Sequence, residues 1–276
     1  MRLKMNFRRL MYVTISIICV LSIISAVYNE FDLRFNRVSK PKSGTQNTKN
    51  QEDLKRDINS LFNNEVELNG YDVSKIKKSD DSKDIVYTAY KSDAKEDDKY
   101  ELDIHIPVIN IEGDVVSRFN EITQNIFANK TTEILQESEN YTIYNVDYTG
   151  YINGDVLSVI IKSTLKEGSN AQRTIVETYN YNLLTKKETT IYDAIEQTGI
   201  EEHNATVKIN GEIVKAIEEA NKIQITGHEV YTRDINSEIY NIDNIETFFI
   251  GSNNKLYIIF AYGNNNFTSE MDIIEF

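Results

Sequence analysis

The feature that most constrains this sequence is an uncharged run of 19 residues near its N-terminus, from Leu10 to Tyr28. As an α-helix, such a run spans about 30 Å of hydrocarbon at about 1.5 Å per residue. The cations that precede it are Arg2, Lys4, Arg8 and Arg9. Because cations beside a membrane span stay on the cytoplasmic side, the chain should run N-in and C-out. The sequence therefore predicts a short cytoplasmic basic tail at 1–9 and a transmembrane anchor at 10–28.

A cleaved signal peptide is the alternative to this anchor, and it would leave a secreted domain. Cleavage after Ala26 would place Ile24 where signal peptidases prefer a small residue. The apolar run is also longer than a typical signal-peptide core. We therefore expect an uncleaved anchor in the cell membrane, with the rest of the chain outside.

Cysteine usage and charge bound the kind of partner. The single cysteine, Cys19, lies inside the apolar run, so residues 29–276 cannot form an intrachain disulfide. An exported domain that is stabilised by core burial alone suits a bacterial envelope with little oxidative folding. The whole chain has a net charge of −13 and residues 1–28 carry +4, so residues 29–276 carry −17. This acidity argues against nucleic acid, and it either favours a cationic partner or simply keeps the domain soluble.

Residues 29–83 read as a polar linker, and residues 84–276 as a folded module. Within the linker, Asp53 to Leu68 is a possible short helix. Alternating apolar residues then predict two strands, Ile85–Tyr90 and Lys99–Ile109. Pro107 predicts an edge position or a bulge, because proline cannot donate a hydrogen bond to the ladder.

A helix is predicted after the second strand. It should start at Gly113-Asp114, with Asp114 as its N-cap, and run to about Glu137. Its apolar stripe consists of Val115, Phe119, Ile122, Ile126 and Phe127. This spacing is typical of a helix that packs one face against a sheet.

The densest strand region is centred on Asn153-Gly154, the pair best suited to a tight type I′ turn. Arg173–Leu183 follows as a further strand, and Thr190 with Asp193 predicts a capping box that starts a short helix. The two strands joined at Asn153-Gly154 should therefore form a hairpin.

The C-terminal third predicts one helix and three strands. The helix is Ala205–Asn221, with Val207, Ile213, Val214 and Ile217 as its apolar residues. The strands are Glu246–Ile250, Leu256–Tyr262 and Met271–Phe276, the last of which would close the sheet. The whole order predicts an α+β fold with a mainly antiparallel sheet and two packed helices, preceded by one N-terminal transmembrane helix.

The sequence contains no motif that points to catalysis. Its histidines, His105, His203 and His228, lie outside metal-ligand spacing of one another. A nucleophile elbow, a P-loop and a dinucleotide fingerprint are all missing from the sequence. Paired carboxylates for glycoside cleavage stay open, because their spacing is spatial rather than sequential. We expect no catalytic, cofactor-binding or metal-binding residue and no cofactor.

Tyrosines offer the one candidate ligand surface. Those proposed for it lie in two predicted strands and are Tyr144, Tyr148, Tyr151, Tyr179 and Tyr181. Exposed tyrosine is favoured at interfaces because it is rigid and amphipathic. The alternative is that these tyrosines are core residues or cross-strand pairs, since strands recruit tyrosine for packing.

Several stretches of the module resemble a known family. They read FNEITQNIF with YTGYINGDVLSVIIKSTL, YNYNLLTKKETTIYDAI, and FFIGSNNKLYIIFAYGNNNFTSEMDI. Together they cover about residues 84–276 and resemble the extracytoplasmic domain that the anti-sigma factor RsiV shares with the peptidoglycan deacetylase PdaC. In that family the turn after the aromatic strand usually contains glycine, and Lys186 stands at that place here.

The resemblance implies an extracytoplasmic module whose ligand is a lysozyme-like cationic protein or cell-wall glycan. We expect a stand-alone, membrane-anchored binding or sensing module of a Gram-positive envelope and not an enzyme. The net charge favours the cationic protein over the glycan. Two alternatives stay open: a structural partner in a secretion or sporulation assembly, and a glycan-acting envelope hydrolase.

Overall fold

A computed structural model describes residues 58–137, 139–225, 233–264 and 267–276. The predicted tail, the anchor at Leu10–Tyr28, the linker up to residue 57 and His228 lie outside the described residues. Within the described ranges, no helix has both the length and the apolar character needed to cross a membrane.

The described residues alternate between strands and helices in nearly the predicted order. The strands are β1 (Val66–Glu67), β2 (Val86–Glu96), β3 (Tyr100–Ile109), β4 (Thr142–Asn153), β5 (Val156–Glu167), β6 (Arg173–Asn182), β7 (Lys187–Glu188), β8 (Phe248–Ile250), β9 (Leu256–Asn264) and β10 (Phe267–Glu275). The α-helices are α1 (Asp114–Thr123), α2 (Asn129–Glu137), α3 (Ile191–Thr198) and α4 (Glu202–Ile225). A π-helical segment, Gln124–Ala128, joins α1 to α2. The α+β prediction is therefore confirmed for the described residues.

Seven strands form the larger sheet, in the order β2-β3-β4-β5-β6-β7 with β1 beside β4. Most neighbours are antiparallel, but β3 and β4 are parallel, and so are β1 and β4. A parallel pair needs a crossover connection, and α1 with α2 provides it between β3 and β4. β3 and β1 share one edge of β4, at Thr142–Val146 and Gly150–Tyr151 respectively.

The close approach of β1 explains one glycine. A Cβ at Gly150 would lie 2.9 Å from Cγ2 of Val66 and 3.1 Å from the carbonyl of Ser158. Residues 58–83, which the sequence places in a polar linker, thus contribute a strand to the sheet. Val66, Tyr71 and Val73 also pack against its core. The linker prediction is wrong for these residues, because a few scattered apolar side chains are enough to pack the segment against the sheet.

Two local predictions are corrected by the backbone. Asn153 pairs with Val156, so the two-residue turn is Gly154-Asp155 and not Asn153-Gly154. A type I′ turn needs positive φ at both central residues, and here Gly154 has φ +52° while Asp155 is not in that region. Asp114 makes no side-chain cap, because Gly113 occupies the N-cap position. It lies in the first turn, where its charge complements the helix dipole.

Other local predictions are confirmed. Ala89 has no directly paired residue in the β2–β3 register, which shifts opposite Pro107 as expected for a bulge. Thr190 and Asp193 form the reciprocal capping box that starts α3. Lys186 has φ +58°, so the turn before α3 does need a left-handed residue.

α1, α2 and their π-helical junction cover one face of the larger sheet. Asn120 ties α1 to β3, because its side chain accepts from the Ile109 N–H at 2.8 Å and donates to the Ile109 carbonyl at 2.9 Å. The apolar core beneath the helices includes Leu102, Ile104, Phe119, Phe127, Val146, Leu157, Val159 and Ile161. This face is thus a mainly apolar layer of aliphatic and aromatic side chains.

A second, three-stranded sheet in the order β10-β9-β8 packs on the opposite face. The predicted strand Met271–Phe276 therefore closes this second sheet and not the first. The contact between sheets is made by Ile58, Tyr151, Ile160, Val176, Phe249, Ile259, Met271 and Ile273. On the far side of the second sheet, α3 contacts β8 and β9, and α4 contacts β10.

A buried polar joint fixes β8 against the larger sheet. The Asn180 side chain donates to the Phe248 carbonyl at 2.8 Å and accepts from the Ser158 hydroxyl at 2.6 Å. The Ile250 N–H donates to the same hydroxyl at 3.3 Å. Side chains of the first sheet thereby satisfy backbone groups of the second, which is how buried backbone polar groups avoid a desolvation penalty.

Candidate ligand-binding surface

All five tyrosines predicted as a ligand surface are buried. Tyr144, Tyr148, Tyr151, Tyr179 and Tyr181 each expose 6% or less of their surface. The prediction of a tyrosine surface at these positions is therefore wrong, and the core alternative is correct. The physical reason is that both faces of their strands are covered, one by α1 and α2 and the other by the second sheet.

Their contacts are those of core residues. The Tyr179 ring lies 4.9 Å from that of Phe119, and the Tyr148 hydroxyl lies 3.1 Å from that of Thr88. Burial raises the pKa of Tyr144, with a hydrogen bond to Ser163 acting in the opposite direction. These rings stabilise the sheet and present no surface to a ligand.

A tyrosine that the strand-based reasoning left out, Tyr192, is exposed. The capping box places α3 so that Ile191, Ala194 and Ile195 face inward. At helical spacing, Tyr192 then faces outward and exposes 39% of its surface. The period of α3 could have identified this position, because its apolar residues define the buried side.

Tyr192 lies among carboxylates. Its hydroxyl donates a hydrogen bond to Asp243, in the short 3₁₀ turn Ile242–Asn244. This bond, with burial and the charges of Asp243 and Glu202, raises the pKa of Tyr192 to about 12. The phenol therefore remains a neutral donor over the physiological pH range, held at the centre of an acidic neighbourhood.

Residues 188–246, which we call the acidic layer, hold a large share of the negative charge. They contain 13 acidic and four basic residues. Two of the lysines are paired locally, Lys215 with Glu212 at 2.7 Å and Lys222 with Glu219 at 2.6 Å. Arg233 is buried and bound to Asp272 at 2.7 Å. The described residues of this layer therefore form a strongly negative surface.

Exposed apolar side chains accompany this charge. Tyr192 and two valines of α4, Val207 and Val214, lie in the acidic layer, and Leu184 lies just before it. The exposed valines correct the predicted apolar face of α4, because its buried residues are Ala205, Ile209, Ile213, Ala216 and Ala220. A negative surface with apolar side chains is suited to a cationic protein partner.

A second polar arrangement lies on the larger sheet, on the side away from α1. We call it the His105 face and define it by Asp103, His105, Asp147 and Lys162. Nδ1 of His105 lies 3.6 Å from Oδ1 of Asp103 and 3.5 Å from Oδ1 of Asp147. That nitrogen is buried and has no hydrogen-bond partner among the described residues. The Asn64 side chain also donates to Asp147 at 3.1 Å.

Lys162 completes this face. Desolvation lowers the pKa of Lys162, and the nearby charge of Asp147 opposes that effect. Its Nζ donates to Oδ1 of Asn59 at 3.0 Å and lies 4.6 Å from the centre of the Phe62 ring. The sequence could not reveal this grouping, because its members come from three strands, and Asn59 and Phe62, which contact Lys162, come from the segment before β1.

A buried ionic network holds the segment after residue 232 to the second sheet. Nε of Arg233 donates to Oδ2 of Asp272 at 2.7 Å, and its NH2 group donates to Oδ1 at 2.8 Å. The Tyr262 hydroxyl donates to Asp272 at 3.0 Å and lies 2.8 Å from that of Tyr240. All four residues are buried, so the network has a structural role.

Metal binding finds no support among the residues that the structure describes. In those ranges no group of three or more His, Cys, Asp or Glu side chains could hold a metal ion. His203 is exposed at the start of α4, away from any such group. Asp103, His105 and Asp147 form a polar patch on the sheet.

Comparisons with known proteins give limited similarity. No family model matches the chain, and no curated protein matches it. Among solved structures, one that matches is the crystal structure of a DUF3298 family protein from Pseudomonas aeruginosa PAO1. The two share 13% identity with a TM-score of 0.27, and the match covers 37% of this chain. It spans about half of that protein, 51% of its chain.

Proposed function

We propose that this chain is a membrane-anchored extracytoplasmic binding or sensing module of a Gram-positive envelope, and that its ligand is a cationic, lysozyme-like protein. The observation that carries the proposal is the acidic layer, in which 13 acids and four bases accompany exposed Tyr192. The uncharged run at Leu10–Tyr28 supports the anchor. The resemblance to the RsiV and PdaC domains supports the ligand class.

The negative charge of the acidic layer should make binding of a cationic protein depend on salt. Opposite charges on two surfaces speed their encounter and fix its orientation, and this attraction weakens as salt rises. The Debye length falls from about 30 Å at 0.01 M salt to about 8 Å at 0.15 M. Binding through the acidic layer should therefore be faster at low salt, with a smaller change in the dissociation rate.

The test uses the full chain in mild detergent and lysozyme as the cationic probe. We expect binding whose association rate falls at least about tenfold between about 0.01 M and 0.15 M salt. Lysozyme with acetylated lysines keeps its fold while losing positive charge, and it should bind more weakly. If lysozyme does not bind even at low salt, or binds with no salt dependence, the proposal is wrong.

Cell-wall glycan is the second candidate ligand, and the His105 face is the observation that favours it. Asp103, His105 and Asp147 place carboxylate and imidazole groups together on a sheet face, where sugar hydroxyls could bind. Asp147→Asn should then weaken retention on purified peptidoglycan while leaving lysozyme binding unchanged. If peptidoglycan retains the wild type and the Asp147→Asn variant equally, glycan is not the ligand of this face.

A further inference from the structure

The outer face of α4 carries apolar side chains that nothing described covers. Val207 and Val214 expose 55% and 43% of their surfaces, although valine is usually buried. Gly211 lies between them and is also exposed. At about 100° per residue, these positions fall on one side of the helix, opposite the buried residues Ala205, Ile209 and Ile213.

Gly211 is unusual for its position. It lies inside a 24-residue helix, where glycine is destabilising relative to alanine. Among the described residues, a Cβ added there would meet no atom within 4 Å, so their packing does not require glycine. A glycine on an exposed helix face lets another backbone approach closely, as small residues do at helix crossings.

The same face is complementary to itself. His203, Val207, Asn210, Gly211, Val214 and Glu218 form what we call the α4 stripe, and all are exposed. Its members are spaced symmetrically about the point between Asn210 and Gly211. If two α4 helices cross antiparallel at that point, Val207 meets Val214 of the other copy. The imidazole of His203 then meets the carboxylate of Glu218.

We propose that the α4 stripe is a homodimer surface, on which a second copy of this chain packs about a two-fold axis that passes between Asn210 and Gly211. The occupant is a second copy because one symmetry operation pairs Val207 with Val214, His203 with Glu218 and Asn210 with Gly211. The stripe spans about 22 Å at about 1.5 Å per residue. Such a contact is smaller than a standard interface, so the dimer should be weak and should depend on protein concentration.

Salt should act on this dimer in the opposite direction to ligand binding. Each copy carries −17 on residues 29–276, so two copies repel each other. Screening weakens that repulsion, and the dimer should tighten as salt rises. The proposal goes beyond the proposed function. The dimer would cover Val207 and Val214, whereas Tyr192 lies on α3, outside the α4 stripe, so each proposal can fail without the other.

The first experiment is sedimentation of the full chain in mild detergent over a range of protein concentrations. We expect a reversible monomer–dimer equilibrium, and Val207→Asp should raise the dissociation constant at least about tenfold. Leu184→Asp is the matched control, because Leu184 is more exposed, at 67%, and lies outside the stripe. A chain that stays monomeric at high salt, or a dimer that Val207→Asp leaves unchanged, overturns the proposal.

The second experiment swaps the polar pair. His203→Glu places two acids opposite each other, and Glu218→Lys places a cation against the imidazole, so each single variant should weaken the dimer about three- to tenfold. The double variant should restore it, because the new carboxylate at position 203 and the new ammonium at position 218 attract across the two-fold axis. Recovery in the double variant cannot come from a change within one helix. If the double variant weakens the dimer by the sum of the two single-variant effects, the antiparallel arrangement is wrong.

Discussion

The two faces of the larger sheet are held by different kinds of contact. Under α1 and α2, the layer is apolar and rests on rings and branched side chains such as Phe127 and Ile104. On the other face, apolar residues share the interface with the buried polar joint of Ser158 and Asn180. Apolar contacts depend little on how the two groups are oriented, whereas hydrogen bonds require a defined orientation of donor and acceptor. The helix-covered face therefore provides stability, and the opposite face also sets where the second sheet lies.

The largest expected effect comes from emptying the apolar face. Phe127 is fully buried, so Phe127→Ala should lower the free energy of unfolding by about 3–5 kcal/mol through lost transfer energy and a residual cavity. Chemical denaturation followed by circular dichroism measures it. Leu184→Ala, at an exposed site, should change stability by less than about 0.5 kcal/mol. Equal losses in the two variants would contradict the described packing.

The polar joint should respond next in size. Asn180→Ala removes the donor to the Phe248 carbonyl and the acceptor of the Ser158 hydroxyl, which should cost about 1–3 kcal/mol. Hydrogen exchange of the Phe248 and Ile250 amides should also speed up, because β8 loses its attachment. The matched control is Asn145→Ala on the same sheet, whose side chain makes a weaker 3.3 Å contact with Thr164. If the control costs as much, the joint has no special role.

The start of α3 gives a smaller effect. Thr190→Ala removes the hydroxyl that accepts from the Asp193 N–H at 3.2 Å, and it should cost about 1 kcal/mol. Thr190→Ser keeps the hydroxyl and should be close to wild type. Since α3 presents Tyr192, the alanine variant should also weaken lysozyme binding. If stability falls but lysozyme binding does not change, the capping box does not position the proposed binding surface.

The pH response of Tyr192 is the smallest effect. Its pKa is raised to about 12 from 10.0, mainly by the hydrogen bond to Asp243. A group whose pKa is higher in the folded state contributes stability that is complete below its unfolded pKa and is lost as pH rises through the folded value. The α3 contact to Asp243 should thus weaken between about pH 10 and 12. Nuclear magnetic resonance of labelled tyrosine should show that the pKa of Tyr192 falls in Asp243→Asn. If that pKa does not change, the hydrogen bond between Tyr192 and Asp243 is contradicted.

Sequence periodicity predicted those parts of the fold that depend on neighbouring residues. The strands, the crossover helix and the Thr190–Asp193 capping box were all visible, because alternation and capping are local patterns. The parallel pairing of β3 with β4 and the separation of a second sheet depend on contacts far apart in sequence. No local pattern distinguishes one large sheet from two packed ones.

The candidate site was harder to predict for the same reason. The sequence positions of Tyr179 and Tyr181 fit a surface as well as a core, and only the packing of both sheet faces distinguishes the two. Tyr192 could have been found from the inward-facing residues of α3. Val207 and Val214 were misplaced, because the inner face of α4 is partly made of alanine, which carries little hydropathy signal. The His105 face could not be predicted, because β3, β4 and β5 meet only in three dimensions.

The most direct test of the central claim compares two triple variants that remove the same charge from different regions. One neutralises exposed residues of the acidic layer: Glu196→Gln, Glu202→Gln and Glu238→Gln. The other neutralises exposed residues near β2: Asp81→Asn, Asp93→Asn and Asp97→Asn. Calorimetry at low salt should show lysozyme affinity reduced at least about tenfold in the first and little changed in the second. An equal reduction in both variants would contradict the account, because binding would then follow net charge and not the acidic layer.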